Sequence, residues 1–328
     1  MAAKIRIGIV GYGNLGRGVE YAIAQNTDMS LVGVFTRREP SSVQTRDGGV
    51  PVRPLASIGD FQDDIDVLIL CGGSKNDLPE QGPALAALFN TVDSYDTHAK
   101  IPEYFDAVDK AAESGGHIAL ISVGWDPGLF SLNRLFGESV LPEGATYTFW
   151  GKGLSQGHSD ALRRVAGVKG AVQYTIPVPD AVEQVRSGSL PSLTTRQKHT
   201  RDCYVVLEPG ADAATVEQAI VTMPDYFADY DTSVNFITEE ALERDHSAMP
   251  HGGFVIRSGK TGQGSTQVME YSLTLQSNPE FTSSVLVAYA RAVFRLSQAG
   301  QKGARTVLDV APGLLSPKTA AQLRKELL

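Results

Sequence analysis

The chain has 328 residues, and its 29 Lys and Arg against 37 Asp and Glu give a formal net charge of −8, which argues against a nucleic-acid partner. At about 150 residues per domain the length predicts about two domains, and no apolar run approaches the ~18 residues typical of a membrane span. With two cysteines, no paired metal-ligand spacing and no apolar leader segment, we expect a cytoplasmic protein without a disulfide framework, a metal site or a membrane partner.

Strand-like and helix-like segments alternate over the first third of the chain. Several of the strand-like runs are continuously apolar, which is typical of parallel strands in a sheet that helices cover on both faces. The predicted strands are 4–10, 31–36, 67–71, 91–93 and 117–122, and the predicted helices are 15–25, 79–90 and 102–114. This alternation predicts an α/β fold with a Rossmann-type, doubly wound parallel sheet.

From about residue 145 the pattern changes to shorter strands, several of which alternate polar and apolar residues. Alternation predicts a mixed, largely antiparallel sheet with one exposed face, in an α+β domain. Strands are predicted at 145–150, 171–176, 201–207, 234–238, 254–257 and 267–275, with helices at 180–187 and 212–222. A long helix (281–298), a short strand (306–310) and a last helix that opens at Ser316-Pro317 complete the chain.

The sharpest local signal is the segment Gly11-Tyr12-Gly13-Asn14-Leu15-Gly16, which follows a predicted strand and opens a predicted helix. In a dinucleotide-binding turn Gly11 permits the tight bend, Gly13 lets the backbone approach a diphosphate, and Gly16 allows close packing of helix and strand. The alternative is an ordinary glycine-rich turn. The order of strand, motif and helix favours the dinucleotide.

The end of the second strand indicates which dinucleotide is bound. NAD-binding folds place an acid there for the ribose 2′-hydroxyl, whereas this chain has Thr36, Arg37 and Arg38. Two guanidinium groups and a hydroxyl suit a 2′-phosphate, although surface arginines are also common as merely solvated groups. The position favours NADP.

Later strand ends carry further candidates, because ligands of open α/β sheets bind beyond the carboxyl ends of the strands. Cys71, beside the loop Gly72-Gly73-Ser74-Lys75, is interpreted as a buried small hydrophobe, and Lys75 as either a phosphate ligand or a solvated cation. In 122–128, Asp126 is either a carboxylate held beside the cofactor or the N-cap of a helix that begins at Pro127.

The second half contains a glycine-rich segment, 149–158, whose backbone amides could bind a carboxylate, with a flexible hairpin as the alternative. Arg201 lies in a predicted strand and His251 in the segment 249–253, but a lone Arg or His is more often structural. His246 and His251 are five residues apart with Pro250 between them, so they do not share a helix face as a zinc pair does.

Long blocks of the sequence resemble the meso-diaminopimelate dehydrogenase family nearly from end to end. These blocks are 9–17, 124–128, 149–151, 154–164, 223–226 and 249–253, together with 278–279 and 306–308. The visible departures are Gly72, Lys75 and, where the family often has Ser, Thr36. The resemblance implies a homodimeric NADP-dependent enzyme of lysine and cell-wall precursor synthesis. Such an enzyme reversibly deaminates the D-centre of meso-2,6-diaminopimelate to L-2-amino-6-oxopimelate (tetrahydrodipicolinate) and ammonium.

The resemblance also assigns site residues and domains. It implies a dinucleotide-binding domain of 1–122 and 300–328, and a substrate-binding and dimerisation domain of 123–299. Asp126, and secondarily Asp96, are the predicted catalytic residues, because a hydride leaves easily only from a neutral amine and a carboxylate can accept the ammonium proton. The predicted substrate-binding residues are Asp96, Asp126, Trp125, Trp150, Gln156, Gly157, Thr175, Arg201, His251 and Asn278. The predicted cofactor-binding residues are Gly11, Tyr12, Gly13, Asn14, Leu15, Gly16, Thr36, Arg37, Arg38, Gly72, Gly73, Ser74, Lys75, Ser94, Tyr95, Asp96, Val123, Gly124, Trp125, Asp126 and Pro127.

Three alternatives stay open. A broad D-amino-acid dehydrogenase would share the D-centre chemistry, but Thr175, Arg201, His251 and Asn278 together favour a pocket for a second amino-acid end. A sugar-type oxidoreductase usually needs a Glu-Lys-Pro tripeptide, which the sequence lacks. A non-enzymatic NADP-sensing protein is the third alternative, and the two carboxylates weigh against it.

Overall fold

The computed structural model describes residues 3–46 and 48–328, and the chain divides into two compact units. The first unit comprises Met1–Leu132 and Pro279–Leu328, and the second comprises Asn133–Asn278. The strands are β1 (Ile5–Val10), β2 (Met29–Thr36), β3 (Val52–Pro54), β4 (Val67–Leu70), β5 (Thr91–Asp93), β6 (Ile118–Leu120), β7 (Gly144–Trp150), β8 (Gly153–Leu154), β9 (Val168–Pro177), β10 (His199–Leu207), β11 (Asp231–Phe236), β12 (His251–Thr261), β13 (Ser265–Leu275) and β14 (Gly303–Arg305). The α-helices are α1 (Asn14–Ala24), α2 (Leu78–Ala86), α3 (Ile101–Gly115), α4 (Leu129–Val140), α5 (Gln156–Arg163), α6 (Pro179–Arg186), α7 (Thr195–Lys198), α8 (Ala213–Val221), α9 (Glu239–His246), α10 (Asn278–Gln298) and α11 (Ala320–Leu327).

A parallel sheet forms the centre of the first unit. Its order is β3-β2-β1-β4-β5-β6-β14, and each adjacent pair of strands is parallel. The sheet is apolar on both faces: in β4, Val67 and Ile69 pack in one core cluster, while Leu68 and Leu70 pack in another. This arrangement confirms the predicted Rossmann-type sheet. The strand order reverses between β1 and β4, which is where such sheets bind ligands.

Two smaller sheets form the second unit. One has the order β11-β10-β9-β8 with a parallel β10–β11 pair and otherwise antiparallel pairs, and the other is the antiparallel β13-β12-β7. Leu162 of α5 and Ile220 of α8 pack on the first sheet, and Val185 of α6 packs on the second. The predicted mixed, largely antiparallel α+β arrangement is confirmed, with its strands divided between two sheets.

The end of the chain differs from the predicted elements. The segment predicted as a strand at 306–310 contains a 3₁₀ turn, Val307–Asp309, because Thr306 and Asp309 cap each other's backbone N–H groups. The strand that joins the sheet is β14, just before it. The last helix begins at Ala320, after the capping residue Thr319, and not at Ser316-Pro317.

The long helix α10 lies with the parallel sheet, whereas the sequence placed it in the second domain. Its residues Leu286, Tyr289 and Val293 are buried in the same cluster as β1. The guanidinium of Arg291, which is 2% exposed, is paired with Asp28 through an Nε–Oδ2 distance of 2.6 Å. The boundaries of the compact units therefore differ from the predicted domain boundaries at 122 and 299.

Candidate functional site

The glycine-rich turn lies between β1 and α1 with the geometry that a dinucleotide requires. Gly11 has φ +87°, and a Cβ on Gly16 would lie 2.3 Å from the carbonyl oxygen of Gly11. A Cβ on Gly13 would meet nothing within 4 Å, so the backbone before α1 borders open space. The first backbone N–H groups of a helix attract anions, and this turn therefore fits a diphosphate.

A cavity of ≈ 640 Å³ lies beside the turn, at the carboxyl ends of β1 and β2. Its lining includes Thr36, Arg37 and Arg38. Arg38 donates through Nη2 to the Tyr12 carbonyl oxygen at 2.6 Å, and its backbone N–H donates to Thr36 Oγ1 at 3.1 Å. A hydroxyl and two guanidinium groups thus converge where the sequence predicted a 2′-phosphate.

Asp77 also lines this cavity, and the sequence analysis did not identify it. One carboxylate oxygen lies 2.5 Å from Nη2 of Arg37, and the other accepts the backbone N–H of Gly73 at 2.9 Å. Asp77 therefore connects the loop after β4 to the arginine after β2. A Cβ on Gly72 would lie 2.8 Å from the Asp77 Cβ, which explains the glycine at this departure from the family.

The side chains of two predicted cofactor residues contact other side chains of the protein. The Tyr12 hydroxyl donates to Glu20, and the Tyr95 ring stacks on Tyr104 at a centroid distance of 4.0 Å. The Tyr12 hydroxyl and one face of the Tyr95 ring are therefore engaged within the protein. Burial raises the pKa of the Cys71 thiol, which agrees with the interpretation of Cys71 as an unreactive apolar group. Lys75 is exposed.

Asp96 and Asp126 lie in the loops that follow β5 and β6. Asp96 is exposed, and its backbone N–H donates to Ser74 Oγ at 3.1 Å. Asp126 is half-buried, and α4 begins only at Leu129, so the alternative of a helix with Pro127 as its first residue does not apply. The Trp125 indole is buried edge-to-face against Phe130 at 5.2 Å. The loops thus hold both predicted catalytic carboxylates at the ligand-binding edge of the sheet.

In the second unit, Arg201 lies in β10 directly opposite Thr175 in β9. Its guanidinium donates to Thr175 Oγ1 and stacks on the ring of Tyr230, with Cζ 3.8 Å from the centroid. Arg201 is 6% exposed, yet no carboxylate of the described residues pairs with it, and its Nε has no hydrogen-bond partner among them. Buried cations are normally paired, so this one is available to an anionic ligand.

Two histidines near Arg201 are neutral. Burial lowers the pKa of His158 to about 4 and that of His199 to about 3, and the positive charge of Arg201 lowers both further. His199 Nε2 accepts the backbone N–H of Trp150 at 2.9 Å, which fixes the end of β7. Arg201, and not these imidazoles, is therefore charged at neutral pH.

Other predicted substrate residues gather around the same strands. Gly153 pairs with Thr175, and a Cβ on Gly153 would lie 2.4 Å from His251 Cγ, so the imidazole packs directly on this glycine. The Met249 carbonyl oxygen accepts the N–H of Asn278 at 2.9 Å, and Met249 Sδ lies 3.4 Å from Gln156 Nε2.

The glycine-rich segment is not a hairpin, since Gln156 and Gly157 form the first turn of α5. Ser155 is the N-cap of this helix, and a Cβ on Gly157 would meet nothing within 4 Å. The amides that the sequence proposed for a carboxylate are thus at the N-terminus of a helix, where N–H groups have no partner within the helix. Trp150 is 36% exposed and stacks on His199 at 5.4 Å.

Sequence reasoning missed two other polar residues that the fold buries, Asp93 and Gln173, and the half-buried Tyr230. Gln173 is fully buried on the same strand as Thr175, and its Oε1 has no partner in the described part of the chain. The local sequence does not distinguish Asp93 or Tyr230, because Asp93 bonds to Tyr104 and Ser122 and Tyr230 stacks on Arg201, all of which are distant in the sequence. Over residues 3–46 and 48–328, no group of three or more His, Cys, Asp or Glu side chains is placed to hold a metal ion. None of the helices in these ranges has the length and apolar content needed to cross a bilayer.

The reversing parallel sheet, the glycine turn and the cavity at its edge define a dinucleotide-binding protein of the Rossmann-type oxidoreductase class. Residues 124–277 match the family described as diaminopimelic acid dehydrogenase C-terminal domain. The meso-diaminopimelate D-dehydrogenase of Lysinibacillus sphaericus is 68% identical over 326 residues, which cover 99% of this chain and 100% of that protein. The chain belongs to the meso-diaminopimelate D-dehydrogenase family.

Solved structures agree with this assignment. A sixfold mutant of the meso-diaminopimelate dehydrogenase from Clostridium tetani E88, solved with DAP, has 58% identity and a TM-score of 0.95, and the match covers 99% of this chain and 100% of that chain. An engineered D-amino acid dehydrogenase bound to NADP+ has 48% identity and a TM-score of 0.87, with the same coverage.

Proposed function

We propose that the protein catalyses the NADP-dependent, reversible oxidative deamination of the D-centre of meso-2,6-diaminopimelate, giving L-2-amino-6-oxopimelate and ammonium. The observation that carries the proposal is Arg201, a buried guanidinium without a carboxylate partner among the described residues. A substrate with a second amino-acid end would supply that carboxylate. A simple D-amino acid would leave the cation buried and unpaired, which is costly.

The two ends of the substrate differ only in chirality, so one of them needs its own anchor. We assign the L-end carboxylate to Arg201, with the Thr175 hydroxyl, His251 and Asn278 as neighbouring polar groups. The N-terminal amides of α5, at Gln156 and Gly157, suit the D-end carboxylate, and Trp150 provides an apolar wall. In the Clostridium tetani mutant, the substituted Gln, Thr, Arg, Pro, His and Asn have the spacing of Gln156, Thr175, Arg201, Pro250, His251 and Asn278 in this chain.

The deamination needs an acceptor for the ammonium proton. Bound NADP+ takes the hydride from Cα of the D-centre, and water then hydrolyses the resulting imine to the ketone and ammonium. We assign the proton to Asp126, with Asp96 as a second carboxylate that binds or relays it.

The turn and cavity of the first unit fit NADP. Gly13 leaves space for the diphosphate, while Thr36, Arg37 and Arg38 offer donors to a 2′-phosphate. No Asp or Glu occupies residues 35–38, where a carboxylate would repel that phosphate. The NADP+ in the engineered relative supports the same choice of cofactor.

We also infer a homodimer. In α4, Gly137 packs closely against Arg257, while Leu135, Phe136 and Val140 are exposed. The strand β13 is at the edge of its sheet and exposes Val268 and Met269. Exposed apolar side chains of this kind are typical of surfaces that associate.

Replacing the buried cation tests the proposed function. The substitution Arg201→Met removes the carboxylate ligand and keeps an apolar side chain of similar length, so we expect the KM for meso-diaminopimelate to rise at least about 100-fold. We also expect selectivity to relax toward D-amino acids with one carboxylate. The matched control is Arg196→Met, which removes an exposed arginine that pairs with Asp231 on the same sheet. An unchanged KM in the Arg201 variant would remove this residue from the site.

A further inference from the structure

Asp93, the last residue of β5, is a carboxylate that the reaction above does not use. It is 1% exposed and lies at the carboxyl edge of the parallel sheet. Burial raises its pKa to about 6, although three hydrogen bonds act in the opposite direction. An ionisable group in such a place is costly unless the structure requires its hydrogen bonds.

One oxygen of Asp93 joins two loops. Its Oδ1 accepts the backbone N–H of Tyr95 at 2.9 Å and that of Ser122 at 3.1 Å. The backbone carbonyl of Asp93 also accepts the N–H of Val123 at 2.8 Å. Asp96 follows Tyr95 by one residue, and Asp126 follows Ser122 by four, so the same side chain holds the starts of both loops.

The second oxygen is fixed from the opposite side. Tyr104 of α3 donates its hydroxyl to Asp93 Oδ2 at 2.6 Å, and its ring stacks on Tyr95. The space for this hydroxyl depends on Gly82 of α2, where a Cβ would lie 2.0 Å from the Tyr104 oxygen. The end of β5 and helices α2 and α3 therefore pack together around one buried carboxylate.

The backbone of Ser122, in the loop after β6, adopts an unfavourable conformation that its own side chain does not explain. Its φ is +57°, a left-handed conformation that residues with a side chain rarely adopt. Its Oγ is buried without a partner in the described residues, so the side chain does not explain the conformation. The N–H that this conformation presents is bound by Asp93.

We propose that Asp93 is a positioning residue that fixes the loops carrying Asp96 and Asp126 relative to each other, with Tyr104 holding its carboxylate in place. The inference rests on the proposed function, in which those two aspartates bind the ammonium group and accept its proton. Asp93 itself touches no reacting atom. Its contribution is the placement of the two loops, which should affect turnover more than substrate binding.

The test compares Asp93→Ala, Asp93→Asn and Tyr104→Phe with the control Asp106→Ala, an exposed carboxylate of α3. A displacement of about 1 Å can cost about 100-fold in rate, so we expect Asp93→Ala to lower kcat at least about tenfold. The KM for meso-diaminopimelate and the Kd for NADPH should change less than kcat, because the groups that bind the L-end and the 2′-phosphate lie outside these loops. Asp93→Asn keeps an oxygen acceptor for both N–H groups and should recover most of the lost kcat, and Tyr104→Phe should show a smaller loss.

Amide hydrogen exchange gives a readout that does not depend on activity. The N–H groups of Tyr95 and Ser122 should exchange slowly in the wild type and in Asp106→Ala, and faster in Asp93→Ala. If Asp93→Ala does not fold, Tyr104→Phe still decides the matter through the exchange rate of the Tyr95 amide and through kcat.

Three outcomes would overturn the inference: a kcat of Asp93→Ala within threefold of the wild type, a loss in Asp93→Asn equal to that in Asp93→Ala, or unchanged exchange at Tyr95 and Ser122. A wild-type protein that does not turn over meso-diaminopimelate would instead refute the proposed function. The exchange measurements would then still test the hydrogen bonds of Asp93.

Discussion

The buried arginines of this protein differ in what satisfies their charge. Arg291 is paired with Asp28, and Arg257 donates to the carbonyl oxygen of Leu141 through Nε at 3.0 Å. Arg201 contacts the Thr175 hydroxyl and Tyr230, which stacks on the guanidinium and hydrogen bonds to it, but no carboxylate; its Nε is left without a partner in the described residues. The first two arginines are explained by the fold alone. We propose that the carboxylate of a ligand explains Arg201.

The carboxylate that accepts the ammonium proton can be identified by a conservative substitution. Asp126→Asn keeps the size of the side chain and removes its basicity, so we expect NADPH binding within about threefold of the wild type and a loss of kcat of about 100-fold or more. Fluorescence titration with NADPH and steady-state kinetics measure the two quantities. Asp106→Asn, on the exposed face of α3, is the control. Turnover close to the wild type would exclude Asp126 as the acceptor.

We expect the residues after β2 to determine which dinucleotide is preferred. Removing both guanidinium groups in Arg37→Ala/Arg38→Ala should weaken NADPH binding by about 100-fold, because a hydrogen bond to a charged group contributes about 1.5–3 kcal/mol. Binding of NADH, which has no 2′-phosphate, should change by a few-fold at most. Arg6→Ala is a suitable control, since Arg6 pairs with Asp66 at the amino end of β1, far along the strand from the cavity. Equal losses for both nucleotides would contradict this role of the arginines.

At the scale of elements, hydrophobic periodicity predicted the long segments well. Strand β1, helix α1 and helix α10 lie within a few residues of their predicted bounds, because each has a clear apolar pattern. Strand β3 was missed because it has three residues and ends in Pro54 at the sheet edge. Helix α9 was missed because its sequence, EEALERDH, is polar over most of its surface.

Other elements depend on contacts that a local pattern does not contain. Helix α4 includes Gly137, a poor helix former, and a Cβ there would lie 2.9 Å from the Arg257 Cβ. The glycine is explained by close packing on a strand more than a hundred residues away. The same limit applies to the site: the turn at Gly11 is a local motif, whereas the surroundings of Asp93 are set by contacts with Tyr104 of α3 and with Ser122 after β6.

The histidines of β10 and α5 predict how stability varies with pH. His158 and His199 have an ordinary pKa of 6.5 when unfolded and values of about 4 and about 3 in the fold, so below pH 6.5 the unfolded chain binds more protons. The stability that depends on them is complete above pH 6.5 and is lost as the pH falls toward 4 and then 3. The loss is about 2 kcal/mol for each imidazole by pH 5. Asp93 in the first unit has the opposite effect on stability: because its pKa is raised, its contribution to stability falls as the pH rises.

Urea unfolding followed by fluorescence at pH 7 and pH 5 checks this prediction. We expect a lower midpoint at pH 5 in the wild type and a smaller difference in His199→Gln, whose amide oxygen can accept the Trp150 N–H in place of the imidazole. His98→Gln, which changes an exposed histidine, should behave as the wild type. A midpoint that does not depend on pH in this range would refute the assignment of neutral buried imidazoles.

At the scale of the whole molecule, the chain builds its first unit from both ends. The segment after α10 returns to add β14 beside β6, and the side chain of Arg291 donates to the Leu315 carbonyl oxygen at 2.7 Å. The second unit is one continuous insertion, Asn133–Asn278, and it contains Arg201 with its surrounding polar residues. The residues that we assign to the cofactor and those that we assign to the second substrate end therefore lie in separate parts of the sequence.

This separation makes selectivity between stereoisomers the central expectation. The D-centre chemistry requires only an amino-acid end of D configuration, while the residues around Arg201 are assigned to an end of L configuration. The D,D isomer has no end of L configuration for the residues around Arg201. The L,L isomer has no end of D configuration for the deamination. Discrimination by buried polar groups can reach several orders of magnitude, because a wrong isomer leaves them unpaired.

The most direct test is the rate of NADP+ reduction with the meso, L,L and D,D isomers of 2,6-diaminopimelate, each at the same concentration. We predict rapid formation of NADPH with the meso isomer, in a one-to-one ratio with 2-amino-6-oxopimelate. The values of kcat/KM for the other two isomers should be lower by about 100-fold or more. Comparable rates with the meso and D,D isomers, or no reduction with the meso isomer, would contradict the account.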